Sequence, residues 1–268
     1  MRTLREFFYR IFARALAFRE FLGSIGIQRP ALLVIVRHGE SLRNVIKDGD
    51  PYLPRKPGAE VLREISDPDT PLTARGHAQA RHTGVALRER FGTFDVAYDS
   101  GYRRAHETLD GILAAYTSEE RAKIKRRESH LIRERDSGYA ATMYVEDVKK
   151  ILPDYRNYWH VMGKFYPWPL GGESQAAVCD RVYQFIGMLF KQRARKRVLV
   201  VSHGHTIRAF RFNLEKWTAR KYHENAVSQK IPNCGVFVYR YNYKTRRLEL
   251  MESGTTYWDN KEGVTEKL

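Results

Sequence analysis

Two short runs of apolar, mostly β-branched residues constrain this chain more than anything else in it. Ala31–Val36 and the end of Arg195–Val201 are too short for a helix and carry no polar face, the pattern of a strand covered on both sides. Each breaks off at a polar turn built around His-Gly: Arg37-His38-Gly39-Glu40-Ser41 after the first, Ser202-His203-Gly204-His205 after the second. Doubly covered strands belong to parallel sheets, whose ligands bind beyond the carboxyl ends of the strands. Two histidines are therefore delivered to one sheet edge, beside glycines that let a ligand approach the backbone. A weaker run, Phe94–Tyr98, leads into Asp99-Ser100-Gly101-Tyr102-Arg103-Arg104 and brings arginines to the same edge. Gly235–Tyr241 and, after a turn near Lys244, Arg246–Glu252 read as further strands.

Helical patterns separate these runs. Thr73 can cap a helix running to about Arg90, with Ala80, Gly84, Leu87 and Phe91 on one face; Ser174 can cap another, with Val178, Val182, Phe185, Ile186 and Leu189 inward. The alternation predicts an α/β fold, a three-layer α/β/α sandwich with a mostly parallel central sheet. Two stretches fit it poorly. Residues 45–71 hold Pro51, Pro54, Pro57, Pro68 and Pro71 and read as a loop excursion. Residues 138–172 are rich in Tyr, Trp and Phe and read as an aromatic cap insertion, helical around Val145–Leu152, that covers a pocket or packs as a small satellite core.

Composition closes several alternatives. Of 268 residues 43% are hydrophobic, enough for a packed core and too many for a disordered chain. The longest unbroken apolar run is Ala31–Val36, against the roughly 20 residues of a spanning helix. With only Cys179 and Cys234 there is no disulfide framework, which fits a reducing, cytoplasmic setting. Forty-seven basic against 31 acidic side chains give a formal charge of +16, which attracts anions in general; no nucleic-acid motif accompanies it, and no nucleic-acid partner is expected. Residues 1–28 read as an amphipathic basic helix with a linker, 29–258 as the single α/β domain, and 259–268 as a frayed tail. In residues 1–22 Leu4, Phe7, Phe8, Ile11, Phe12, Ala15 and Leu16 form one stripe among arginines. Such a helix either lies on an anionic membrane surface, making the protein peripheral there, or docks on this protein's own body or a partner protein.

Arg37 adds to the sheet edge a permanently charged fork suited to phosphate oxygens. The spacing R-H-G-x-S-x-x-N from Arg37 to Asn44 resembles the histidine phosphatase superfamily, which includes the phosphoglycerate mutases. Pro71-Leu72-Thr73-Ala74-Arg75-Gly76, Ser100 through Arg104-Ala105 to Thr108, Glu134-Arg135 with Gly138, Gly172-Glu173-Ser174 with Arg181, and Val201-Ser202-His203-Gly204 match in the same order, together covering about residues 31–241. The resemblance implies that His38 is the nucleophile taking a phosphoryl group, that Arg37, Arg104 and His203 neutralise its charge, and that Ser41, Asn44 and the backbone at Gly204 complete an oxygen cradle. It makes Glu134 the proton donor and acceptor, chosen over the neighbouring carboxylates Glu128 and Asp136. No metal and no cofactor is required; the His203-x-His205 pair has no third ligand nearby. The stretch from Tyr155 to Ser174 looks like the broad-specificity phosphatase branch, so the expected activity is hydrolysis of small organic phosphomonoesters through a phosphohistidine. A cofactor-dependent phosphoglycerate mutase and a non-catalytic phospho-ligand binding protein are the alternatives.

Overall fold

The computed structural model describes residues 29–258, apart from 48–51, 152, 168–170 and 229. The amphipathic segment 1–22 and the tail from 259 lie outside the described residues. Along the chain come β1 (Leu32–Arg37), α1 (Leu42–Lys47), α2 (Val61–Glu64), α3 (Ala74–Phe91), β2 (Val96–Asp99), α4 (Arg103–Leu113), α5 (Ser118–Lys123), β3 (Lys125–Glu128), α6 (Val145–Ile151), α7 (Tyr155–Met162), α8 (Gln175–Gln192), β4 (Arg197–Ser202), α9 (Gly204–Leu214), α10 (Ala219–Ser228), β5 (Val236–Asn242) and β6 (Arg247–Thr255). One sheet of six strands, ordered β3-β2-β4-β1-β5-β6, runs through the molecule. β1 to β4 are mutually parallel, β5 is antiparallel to β1, and β6 pairs antiparallel with β5.

The two unbroken apolar runs are the central strands, and their side chains alternate between two cores. Leu33 and Ile35 with Val198 and Val200 face Val178, Val182, Phe185 and Ile186 of α8 and Ile207 and Phe210 of α9. Val34 and Val36 with Leu199 and Val201 face Leu87 and Phe91 of α3 and Leu109 and Ile112 of α4. This is the three-layer α/β/α arrangement. Each fully buried branched side chain contributes on the order of 1.5–3 kcal/mol. Both expected caps form: Thr73 Oγ1 accepts from the Gly76 amide and Ser174 Oγ from the Ala177 amide.

Three expectations change. Residues 45–71 are not wholly irregular. The prolines sit outside Ala59–Glu64, leaving room for one helical turn, α2, and Ala59 and Leu62 bury against Ile46 and Leu53. Lys125–Glu128, a charged run absent from the strands read in the sequence, is the edge strand β3; all four side chains are exposed and main-chain pairing with β2 holds it, so apolar patterning carries no trace of it. The 138–172 insertion holds a second helix, α7, and leans on the 45–71 excursion: Leu53 bridges Tyr144, and the Arg55 guanidinium lies 4.4 Å over the Tyr144 ring.

Candidate active site

Register brings the histidines together. In the parallel pair β1–β4, Arg37 stands opposite Ser202, so the next residues on each strand are His38 and His203. The His38 amide donates to the Ser202 carbonyl (2.9 Å), and the two ring centroids are 5.1 Å apart. A slip of one residue would send either ring into the opposite core. The turn beyond β1 is fixed by close backbone crossing with α3: a Cβ on Gly39 would stand 2.5 Å from the Gly76 carbonyl oxygen, so only glycine fits there.

His38 is buried, and its Nδ1 lies 2.7 Å from the Gly39 carbonyl oxygen. A carbonyl only accepts, so Nδ1 carries the ring proton and Nε2 keeps a lone pair. Burial first, then the Arg104 and Arg37 charges, hold the imidazole well below its usual pKa, against the opposing pull of the Gly39 contact. His203 is neutral for related reasons: burial, then Arg104, His38, Arg37 and Arg181. Its Nε2 is 2.7 Å from Ser100 Oγ, while its buried Nδ1 meets no partner among the described residues. The Ser100 hydroxyl already accepts from the Tyr102 amide and still has its proton to give. When the hydroxyl donates to Nε2, the His203 proton sits on Nδ1, a donor beside His38 with no partner among the described residues. A second buried donor without a hydrogen-bond partner is Arg37 Nε, close to Gly204 at the open amide end of α9. Arg37 Nη1 is spent on the Ile231 carbonyl, and burial lowers the guanidinium to about 10. Buried donors left unsatisfied are costly, and two on one edge are suited to an oxyanion.

A cavity of about 210 Å³ opens on this edge, lined by Arg37, His38, Ser41, Asn44, Arg104 and Glu134 among others. Asn44 Oδ1 accepts from the Ser41 amide, the Ser41 hydroxyl and Asn233 Nδ2, which leaves the Asn44 NH₂ for the cavity. The Ser41 hydroxyl proton is thus committed to Asn44, so Ser41 acts by orienting it. Of the three candidate carboxylates only Glu134 lines the cavity; Glu128 is exposed on the edge strand, and Asp136 is exposed and accepts from the Gly138 amide.

The Glu134 loop is pinned from several sides. Buried Arg181 on α8 donates to the Leu131 and Glu134 carbonyls and to both oxygens of Glu173. Glu173 also takes Arg133 Nη2 (2.7 Å) and the Asp136 amide. Ser202 and Thr206 hydroxyls donate to the Ile132 and Arg133 carbonyls. Several lining residues were not anticipated. Asp67 holds Arg104 through its carbonyl (2.6 Å) and carboxylate (3.1 Å), and Arg43 through its carboxylate (2.9 Å). Arg43, Lys47, Arg135, Ser137 and His205 complete the wall. Arg43 and Lys47 are four apart on α1, a spacing that puts both on one face of that helix. Asp67 arrives on a proline-rich loop, and no spacing in the sequence signals it.

Among the described residues, the aromatic insertion contributes nothing to the wall. None of its described residues beyond 138 lines the cavity. Phe165 instead stacks on Phe212 (5.0 Å) and packs against Tyr222 and Tyr166, joining the main core on the α8 and α9 side of the sheet rather than forming a satellite core, while Tyr139, Tyr158 and Tyr166 are exposed. The cavity is charged where an apolar cover was expected.

Comparison with known proteins gives the same geometry a family. The chain is 30% identical over 190 residues to a 2,3-bisphosphoglycerate-dependent phosphoglycerate mutase of Parvibaculum lavamentivorans, covering 70% of this chain and 81% of that one. It is 28% identical over 245 residues to a phosphoglycerate mutase-like protein of Arabidopsis thaliana, covering 84% and 76%. Among solved structures, a mycobacterial glucosyl-3-phosphoglycerate phosphatase in complex with inorganic phosphate shares the fold at TM-score 0.62 and 20% identity, over 85% of this chain and 99% of that one. A phosphoserine phosphatase of Entamoeba histolytica does so at TM-score 0.61 and 20% identity, over 85% and 98%. The model of the histidine phosphatase superfamily (branch 1) matches residues 33–254, and the chain belongs to that superfamily.

Proposed function

We propose that this protein hydrolyses small phosphomonoesters through a phosphohistidine on His38. The observation that carries the reading is a neutral imidazole whose Nε2 lone pair is left free by the Nδ1 contact to Gly39, beside Arg37, Arg104 and the unspent Nδ1 of His203. The Nε2 lone pair attacks phosphorus as the phosphorus–ester oxygen bond breaks, and the Glu134 carboxyl proton goes to the departing oxygen. A water then attacks the phosphorus of the N-phosphoryl group, the P–N bond electrons return to Nε2, and the Glu134 carboxylate takes the water's proton. Arg37, Arg104 and the His203 N–H spread the charge of the transferring group, the dominant contribution in phosphoryl transfer. Asn44 and the amides at Gly204 add donors to its oxygens.

Hydrolysis is favoured over mutase action by the cover. A mutase must shield its phosphohistidine from water, and no described residue of the insertion lines this cavity. The relatives named as mutases give the second reading its weight. Both are tested on one preparation, by phosphate release from aryl, glyceryl and sugar phosphates against isomerisation of 3-phosphoglycerate. Hydrolysis is expected to dominate; isomerisation far outrunning phosphate release overturns the reading. A radiolabelled phosphoryl group should be trapped on the protein by an alkaline quench, in which a P–N bond survives. His38→Ala should abolish the label and cut turnover by about 10³-fold or more.

A further inference from the structure

The H-x-H pair leaves one histidine outside this scheme. His205, in the first turn of α9, forms part of the cavity wall, with buried Gln175 of α8 beside it. The position of its ring proton follows from that neighbour. Gln175 Nε2 donates to the His205 carbonyl oxygen (3.0 Å), and Gln175 Oε1 lies 3.0 Å from His205 Nδ1. A backbone carbonyl cannot donate, so the Gln175 amide has only one orientation, with its oxygen toward the ring. That oxygen in turn only accepts, so the ring proton is on Nδ1. Loss of solvent around the ring, with Arg135, Arg208, Arg37 and Lys164 nearby, keeps the imidazole neutral. Nε2 therefore carries a bare lone pair, and no described residue donates to it.

That lone pair is out of place in a phosphate site. The cations of the wall, Arg37, Arg43, Lys47, Arg104 and Arg135, are donors, matched to phosphoryl oxygens. Asp67 is occupied by Arg104 and Arg43. A phosphoryl dianion has only acceptors to offer, so His205 Nε2 cannot serve it. We propose that His205 Nε2 accepts a hydrogen bond from a hydroxyl on the organic part of the ester, selecting polyol and hydroxy-acid phosphates over alkyl phosphates of the same length. The inference rests on the phosphomonoesterase reading of the cavity and names the substrate class within it. An ester lacking the hydroxyl leaves the acceptor unpaired, at a cost of about tenfold in affinity.

Glycerol 1-phosphate and n-propyl phosphate form the matched pair. Their dissociation constants are measured by calorimetry on His38→Ala protein, and their kcat/KM values on protein with His38 intact. With His205 present, glycerol 1-phosphate is preferred about tenfold in both readouts. His205→Phe brings the ratio close to one, and His205→Gln, which restores an acceptor, recovers part of it. Gln175→Leu frees the ring to carry its proton on either nitrogen and lowers the ratio by a smaller factor; it carries the test if His205→Phe does not fold. Equal binding of the two esters by protein with His205, or a preference that survives these substitutions, overturns the proposal. A binding preference without any phosphate release overturns the phosphomonoesterase reading and leaves the role of His205 standing.

Discussion

His38 and His203 are kept neutral by the burial and positive surroundings that suit them to a phosphate, and this has a consequence for stability. Each has a folded pKa well below its usual 6.5, whereas in the unfolded chain it protonates near that value. Below pH 6.5 the unfolded state therefore binds more protons, and stability falls with pH, approaching about 1.4 kcal/mol per pH unit for each histidine. Above that value neither contributes a slope. Thermal melts between pH 7.5 and 5.5 should show the decline, and His203→Gln should make it shallower by one histidine's share, with His38 and His205 still contributing; an unchanged slope in that variant would mean that carboxylates elsewhere govern the acid side. Inorganic phosphate should restore the lost stability, because a bound anion offsets the Arg37 and Arg104 charges that oppose protonation. On the proposed mechanism the same argument keeps His38 competent as the nucleophile below pH 6.5, so the loss of structure should precede any titration of its nitrogen.

At the scale of elements, the loop that carries Glu134 has little regular structure of its own and takes its position from α8. Arg181 reaches the Leu131 and Glu134 carbonyls while paired to Glu173, which itself holds Arg133 and the Asp136 amide. Arg181→Lys keeps a charge but cannot make this set of planar contacts. It should lower kcat on alkyl phosphates by about 10²-fold while sparing 4-nitrophenyl phosphate, whose leaving group departs without a proton. Equal losses on both substrates would reduce Arg181 to a general packing role. The sequence motif Gly172-Glu173-Ser174 with Arg181 announces the family but not this function, because the partners are main-chain carbonyls 47 and 50 residues away. What sequence reveals well here is whatever burial or capping dictates locally. The strands β1 and β4 are legible because both faces are covered, and α3 and α8 because Thr73 and Ser174 satisfy their first amides. β3 and Asp67 are held by long-range main-chain pairing and by an ion pair across the cavity, and neither leaves a periodic trace. The site is legible at His38, Arg37, Arg104 and His203 because each closes or directly follows a strand or opens a helix. It is illegible at its charged rim, which two loops and the face of α1 assemble.

For the molecule as a whole, the formal charge of +16 and the cavity's five cations against two carboxylates belong to one electrostatic design, acting at two ranges. Arg37 and Arg104 are buried beside His38, where mobile ions screen them little. The remaining positive surface acts through solvent, where the Debye length is about 10 Å at 0.1 M salt, and so affects only the approach of a dianionic ester. The two ranges separate by experiment. Raising salt from about 0.02 to 0.2 M should lower kcat/KM for a phosphomonoester several-fold by raising KM, with kcat nearly unchanged. An Arg104→Lys substitution should do the reverse, lowering kcat at every salt concentration, because a point charge replaces a fork held in place by Asp67. If kcat/KM is flat with salt while Arg104→Lys still lowers kcat, the buried guanidiniums act on the reacting group as described, and the outer charge has no part in capturing substrate.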